Sequence, residues 1–256
     1  MKIFTMCMQC LHELGTPNFE PITAEYYEDR VSYITCSRGH KSALLLQSQK
    51  FEVLLASGAN ALFNGFTLEA AATFSAGLER FFEFSLKVLC LHQGMPNDAY
   101  AAMFKQMARQ SERQVGAFIA FYTLETGEAY IPNKKIIEFR NAIIHKGHIP
   151  TPNETAEFCS MVYDEIIHLY ENIEKIAGDA IQKVVIADLL ARSQQIPIDT
   201  PRVTTSGENF FCIAHKEKKR NFREAYEEFI KMLTSLETAK PELQQLHDEL
   251  MRHRRP

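Results

Sequence analysis

"GFTLEAAATFSAGLERFFEFSLKVL", Gly65–Leu89, is the stretch that decides the fold. Phe74, Leu78, Phe81, Phe82, Leu86 and Leu89 recur at intervals of three and four, the period of a helix that buries one face. Phe74, Phe81, Phe82 and Phe84 could be taken for a base-stacking platform, but rings at helical spacing are expected to be core. "HQGMPND" then stops the helix.

The same period extends in both directions. Before this segment, Phe51, Leu54, Leu55, Ala59, Leu62 and Phe63 form one stripe from about Ser48, and Gly65 ends it. After it, Asn97 or Asp98 caps a third helix running to about Thr126, where "TGEAYIP" breaks the pattern. A fourth covers Lys134 to Lys146 and ends at "GHIPTPNE". Beyond Pro152 comes a long amphipathic helix carrying Phe158, Val162, Ile166, Leu169 and Ile173 and reaching toward Leu190. "SQQIPIDTPRVTTSGEN" has the composition of a linker. A charged helix from about Lys218 to Leu236 follows, and "RHRRP" reads as a loose tail.

Residues up to about Leu46 differ from all of this. "YYEDRVSYITCSRGHKSALLLQ" sets aromatic and β-branched residues around a glycine turn, as in a small hairpin. The expected architecture is therefore mainly α, with a small N-terminal β-rich module. The boundaries expected are 1–46 for that module, 47–192 for the helical bundle, 193–208 for a linker and 209–256 for a charged helix and tail.

A chain of 256 residues, 46% hydrophobic and 23% charged, can bury a substantial core. It holds no run of ~18 uncharged apolar residues, and MKIFTMCMQC turns polar too early for a secretory signal, so a cytoplasmic protein without membrane insertion is expected. The net charge of -4 argues against a protein that coats nucleic acid through its overall charge. Any RNA contact would have to be local.

Six cysteines in a reducing compartment point to metal binding or to burial. Cys7 and Cys10 form a CxxC pair; Cys36 and His40 form a CxxxH pair across "CSRGH". Two such knuckles each supply two corners of a zinc tetrahedron, and Gly39 suits the tight turn. A module of this size has little core of its own, a deficit that metal binding would remedy. Four protein ligands leave no open position, so Zn2+ here would be structural. The competing reading makes these residues packing thiols in a small β-segment. Cys90, Cys159 and Cys212 read as buried packing residues. Tyr26, Tyr27 and Tyr33 are either stacking groups for a single strand or parts of the module's own core.

"EFRNAIIHKG", 138–147, carries the chemistry. On a helix Asn141 and His145 share a face, with Arg140 about 100° round from Asn141, so the three can line one edge of a cleft. Ile136, Ile137, Ile143 and Ile144 are expected to bury the remaining surface. A neutral imidazole can take the proton of a ribose 2′-hydroxyl. An arginine fork can hold the phosphate oxygens on which charge grows, and Asn141 can orient either partner. Such a transphosphorylation requires no metal. Lys134, Lys135, Lys146 and His148 make the region basic, opposed nearby only by Glu138, and Lys135 and Lys146 are candidate substrate contacts. The opposing reading is a plain helix stop: Arg140, His145 and Lys146 complement the helix dipole, and Gly147 ends the helix.

"FRNAIIH" resembles the Arg-x-x-x-x-His motif, with a polar residue after the arginine, of HEPN domains. "GFTLEAAATFSAGLERFFEFSLKVL" resembles the HEPN helix in which small residues and a leucine–glutamate pair recur. The resemblance spans about Gln47–Leu190. It implies a homodimer in which two such helices face each other and form a composite RNA-cleaving site. Arg140 and His145 would be catalytic, Asn141 supporting and Glu79 an outer partner, with no cofactor for catalysis. It also implies a role in phage defence or as a toxin, with an antitoxin or a defence-system partner. The alternative is a non-catalytic HEPN-type dimeric scaffold that binds RNA, a nucleotide or a protein.

Overall fold

The computed structural model describes residues 2–207, 210–213 and 221–253. The basic stretch 214–220 and residues 254–256 of "RHRRP" lie outside them. Among the described residues the chain is mainly helical, with eight helices and five short strands. None of these helices is long and apolar enough to cross a membrane.

The chain divides into two compact units. The first gathers residues 1–48, 187–209 and 227–256. β1 (Lys2–Thr5) pairs antiparallel with β2 (Ile22–Glu25), and between them lies the short helix α1 (Met8–Leu14). β3 (Val31–Thr35) and β4 (Lys41–Leu46) form the expected hairpin, in the register Val31↔Leu45 to Thr35↔Lys41. The sheet continues in sequence that reads as a linker. β5 (Arg202–Thr205) runs parallel to β4 and pairs Ala43 with Arg202 through Leu46 with Thr205. Within the expected linker 193–208, residues 202–205 are thus a strand of the sheet. The cause is β4 itself: Ala43, Leu44, Leu45 and Leu46 are all buried, as in a strand flanked on both edges.

Arg30, Asp188 and Arg192 form a buried or half-buried charge network in this unit. Arg30 Nη2 and Arg192 Nη2 donate to opposite oxygens of Asp188 at 2.8 and 2.9 Å. Arg30 Nη1 donates to the Ser48 carbonyl at 2.7 Å, and Arg192 Nη1 to that of Leu46 at 2.9 Å. The network ties the end of β4 to the C-terminal turns of a long helix, α7 (Pro152–Gln194). The last helix, α8 (Phe222–His253), is longer than the expected 218–236. Its buried His247 donates from Nδ1 to the Asn18 carbonyl at 2.7 Å, and its Nε2 lies 3.4 Å from Ser37 Oγ. The end of the charged helix is therefore a packed element of this unit.

The second unit comprises residues 49–186 and 210–226. α2 (Lys50–Phe63) and α3 (Thr67–His92) form its first hairpin. Glu52, buried near the start of α2, closes a capping box by accepting from Gln49 N at 2.6 Å, and its other oxygen accepts from Ile213 N at 2.8 Å. Phe51, Phe74 and Phe81 are fully buried, and Phe82 and Phe84 nearly so, as the spacing predicts. Gly58 lets α2 and α3 approach: a Cβ there would lie 2.5 Å from the Phe74 ring. The expected single helix 97–126 is two, α4 (Asn97–Lys105) and α5 (Ser111–Thr126). Gln114, buried in α5, donates to the Met107 and Ala108 carbonyls at 3.2 and 3.1 Å. These bonds stabilise a turn that contains no glycine or proline to announce it in sequence. α6 (Lys134–Lys146) has the expected bounds, and Phe139 stacks on Phe158 of α7, centroids 4.7 Å apart.

Candidate functional sites

In the first unit, α1 and the β3–β4 turn bring Cys7, Cys10, Cys36 and His40 together, with all four ligand atoms within 4.8 Å of one another. Cys7 caps α1, its Sγ accepting from Cys10 N at 3.4 Å, so the CxxC spacing presents both sulfurs on one side of the first turn. Gly39 takes the left-handed conformation, φ 83°, that turns His40 back toward Cys36. Cys36 N then donates to the His40 carbonyl at 3.1 Å.

The spacing can be compared with a coordination sphere. Bond lengths of about 2.3 Å to sulfur and about 2.0 Å to nitrogen give tetrahedral edges of about 3.8 Å between sulfurs and about 3.5 Å from sulfur to nitrogen. Cys10 Sγ lies 3.8 Å from Cys36 Sγ and 3.3 Å from His40 Nδ1, which is 3.7 Å from Cys7 Sγ. The four residues could bind a metal.

Burial, together with the adjacent Cys7 and Cys36 sulfurs, pushes the Cys10 thiol up to about 12. A bound cation reverses that balance by favouring the thiolate. The far nitrogen of His40 faces Glu13 at 3.3 Å, and Arg38 holds the other Glu13 oxygen at 2.9 Å. A carboxylate in that place fixes the ring so that Nδ1 points at the sulfurs. Cys90 and Cys159 are buried packing residues, as expected; burial pushes the Cys90 thiol up to about 11, and Cys159 higher still. Cys212 is half-buried. Tyr26 belongs to the core, while Tyr27 and Tyr33 are exposed.

In the second unit, Asn133 caps α6 by accepting from Lys135 N at 3.0 Å, and Gly147 ends it in the left-handed region, φ 68°. Arg140 and Asn141 line the mouth of a cleft of about 350 Å³ between α3, α5 and α6. Both are half-buried. Arg140 Nη2 donates to Glu79 Oε1 at 2.8 Å, and its Nη1 to Asn141 Oδ1 at 3.2 Å. The basic cluster is therefore opposed by α3 as well as by Glu138. Arg80 Nη2 lies 4.0 Å from the second Glu79 oxygen.

His145 is exposed at the last turn of α6 and does not line the cleft. Lys135 and Lys146 are exposed, and His148 lies 3.8 Å from Glu154. One expectation for this helix fails. Ile136 and Ile143 are buried, but Ile137 and Ile144 are 45% and 49% exposed. Seven residues span about two turns, so Ile136 and Ile143 share the buried face, while Ile137, which lines the cleft, and Ile144 share the more exposed one with Asn141 between them.

The cleft itself is mostly apolar, walled by Leu78, Phe82, Val115, Ile119 and Ile136. Tyr130 closes part of it and donates to Glu165 at 2.6 Å. Burial, and then that carboxylate, push the Tyr130 hydroxyl far above its usual range, so it stays a neutral donor. The sequence pattern points to a cleft edged by Arg140 and Asn141 but not to its apolar walls on α3 and α5, where Gly116 is the one glycine in "VGAFIAFY". No family model, curated protein or solved structure matches the chain.

Proposed function

We propose that the protein is a HEPN-type endoribonuclease that cleaves RNA by attack of the 2′-hydroxyl and needs no metal for that step. The observation carrying this reading is Arg140, solvent-reachable at the mouth of a cleft and held by Glu79 and Asn141, with His145 exposed farther along the same helix. Neutral His145 takes the 2′-hydroxyl proton, and the oxygen attacks phosphorus. Arg140 offsets the charge on the non-bridging oxygens. The 5′-oxygen leaves with a proton from the second imidazole of a dimer, giving a 2′,3′-cyclic phosphate and a 5′-hydroxyl. Lys135 and Lys146 would draw in flanking phosphates.

The dimer is supported by Ile137 and Ile144, apolar residues exposed on either side of Asn141. The role in phage defence or toxicity rests on family analogy alone. The cysteine cluster, in this reading, holds one structural Zn2+ that folds the N-terminal sheet and α1 together.

A second reading has its own support. Glu79 partly neutralises Arg140, and His145 stands outside the cleft, which suits a scaffold that binds RNA or a partner without chemistry. Purified protein incubated with assorted RNAs, without added divalent cations, separates the two. Cyclic-phosphate ends that vanish in both folded Arg140→Ala and His145→Ala variants support the nuclease. Cleavage unchanged in those variants removes the site assignment, and RNA binding without cleavage leaves the scaffold.

A further inference from the structure

We infer that the α3–α5–α6 cleft receives one unstacked base of single-stranded RNA, and that exposed Gly116 in its lining leaves the base room to come against α5. The inference rests on the reading that Arg140 holds an RNA phosphate, and it adds what the neighbouring nucleotide does.

Gly116 is the starting point. A glycine in the middle of a helix lowers stability relative to alanine, so one that persists usually relieves a contact. Gly58 and Gly77 have such reasons, facing Phe74 at 2.5 Å and Leu55 at 3.2 Å. Gly116 has none: it is exposed, it lines the cleft, and a Cβ built there would meet nothing within 4 Å. The other helical glycine with open space, Gly178, adjoins the non-helical Ala177 in α7. The space over Gly116 is thus shaped for something that comes close to the α5 backbone.

The chemistry of the walls selects the occupant. Phe82, Val115, Ile119 and Ile136 offer apolar surface, which favours a ring over an extended polar chain. Hydrogen-bonding groups stand around it, among them Ser111, Glu112 and Asn133, where the edge of a base carries its own donors and acceptors. At the mouth Arg140 retains N–H donors beyond its bonds to Glu79 and Asn141. A half-exposed pair such as Arg140–Glu79 is weak enough for a phosphate to share the guanidinium. A volume of about 350 Å³ lies at the small end of ligand pockets, suited to one nucleoside and not to a stacked pair. A base within a duplex could not enter, so the substrate must be unpaired at that nucleotide.

The test uses full-length His145→Ala protein, which should leave RNA uncut, and the same protein carrying Gly116→Leu or Gly116→Ala. Leucine occupies the open space beside Gly116, while alanine adds one methyl group, and both favour a helix. Binding of a labelled mixed-sequence oligoribonucleotide is measured by fluorescence anisotropy, alone and annealed to its complement, with free mononucleotides as competitors. The expected result is a thermal midpoint unchanged or raised, with single-strand affinity lowered roughly tenfold or more by leucine and less by alanine. Duplex should bind more weakly than single strand. Equal affinity with and without leucine, or duplex bound as tightly as single strand, overturns the inference. A mononucleotide that competes as well as the oligonucleotide overturns the RNA occupant in favour of a small ligand. Failure of the nuclease reading appears separately, as wild-type protein that binds with this dependence on Gly116 and does not cut.

Discussion

Replacing Asp188 with asparagine keeps the shape of the side chain and removes its charge. In the folded protein its carboxylate accepts from Arg30 Nη2 at 2.8 Å, Arg192 Nη2 at 2.9 Å and Arg192 Nε at 3.1 Å. The side chains of Arg30 and Arg192 are only 6% and 9% exposed, against 24% for Asp188, so water replaces the lost anion only in part. Removing one partner of a buried ion pair costs about 3–5 kcal/mol, against about 5–15 kcal/mol for the stability of a whole domain. Urea unfolding of Asp188→Asn should therefore show a loss of about 3–5 kcal/mol, in the transition of the unit containing the N-terminal sheet where two transitions resolve. The pH dependence gives a second check. Burial alone would raise the Asp188 carboxyl, but Arg30 and Arg192 outweigh burial and hold it below its ordinary 3.8. A carboxyl depressed on folding contributes fully above its unfolded value, and that contribution is lost as pH falls through the folded one. Wild type and variant should thus differ most near neutrality and converge in acid. A loss under about 1 kcal/mol at pH 7, or a difference constant down to pH 2, would show that the network is not held together by charge.

In the RNA-cleavage assay, Arg140→Ala should lower the rate by roughly 100-fold or more and His145→Ala by about 100- to 10,000-fold, with circular dichroism unchanged. One zinc per chain should appear by metal analysis, and Cys7→Ser or Cys36→Ser should remove it and increase proteolysis within residues 1–48; metal-free protein that resists proteolysis equally would end the structural-zinc proposal. Ile137→Glu with Ile144→Glu should convert a dimer to a monomer in light scattering while leaving the thermal midpoint within a few degrees, since both side chains are already exposed.

Helical periodicity made most of the bundle legible, because a buried stripe such as Phe74, Phe81 and Leu89 follows the same geometry in sequence and in space. The cysteine and histidine spacing was equally direct, since each knuckle is local and only their meeting is tertiary. What sequence could not show was long-range or carried by side chains. β5 looks like a linker because four residues of RVTT hold little apolar pattern, and its strand character comes from β4. The division between α4 and α5 depends on a buried amide reaching backward from Gln114. Only Ile136 and Ile143 of the four isoleucines of α6 reach the interior, because a surface helix buries a stripe of about 100° and Ile137 and Ile144 stand beside it. Glu79, named an outer partner by resemblance alone, stands 61 residues from Arg140, so only folding brings carboxylate and guanidinium together.

The order of strands in the first sheet has a consequence for how the chain is made. β4 is paired on both edges only once β5 lies against it, yet the two are separated by the whole helical bundle in sequence. On a ribosome adding about 5–20 residues per second, Leu46 would emerge on the order of ten seconds before Thr205. For that interval Ala43 to Leu46 would offer an unpaired apolar edge, the kind of surface that invites association with other nascent chains. Early capture of a metal by Cys7, Cys10, Cys36 and His40, all present from the outset, would hold the first hairpin in shape while it awaits its last strand.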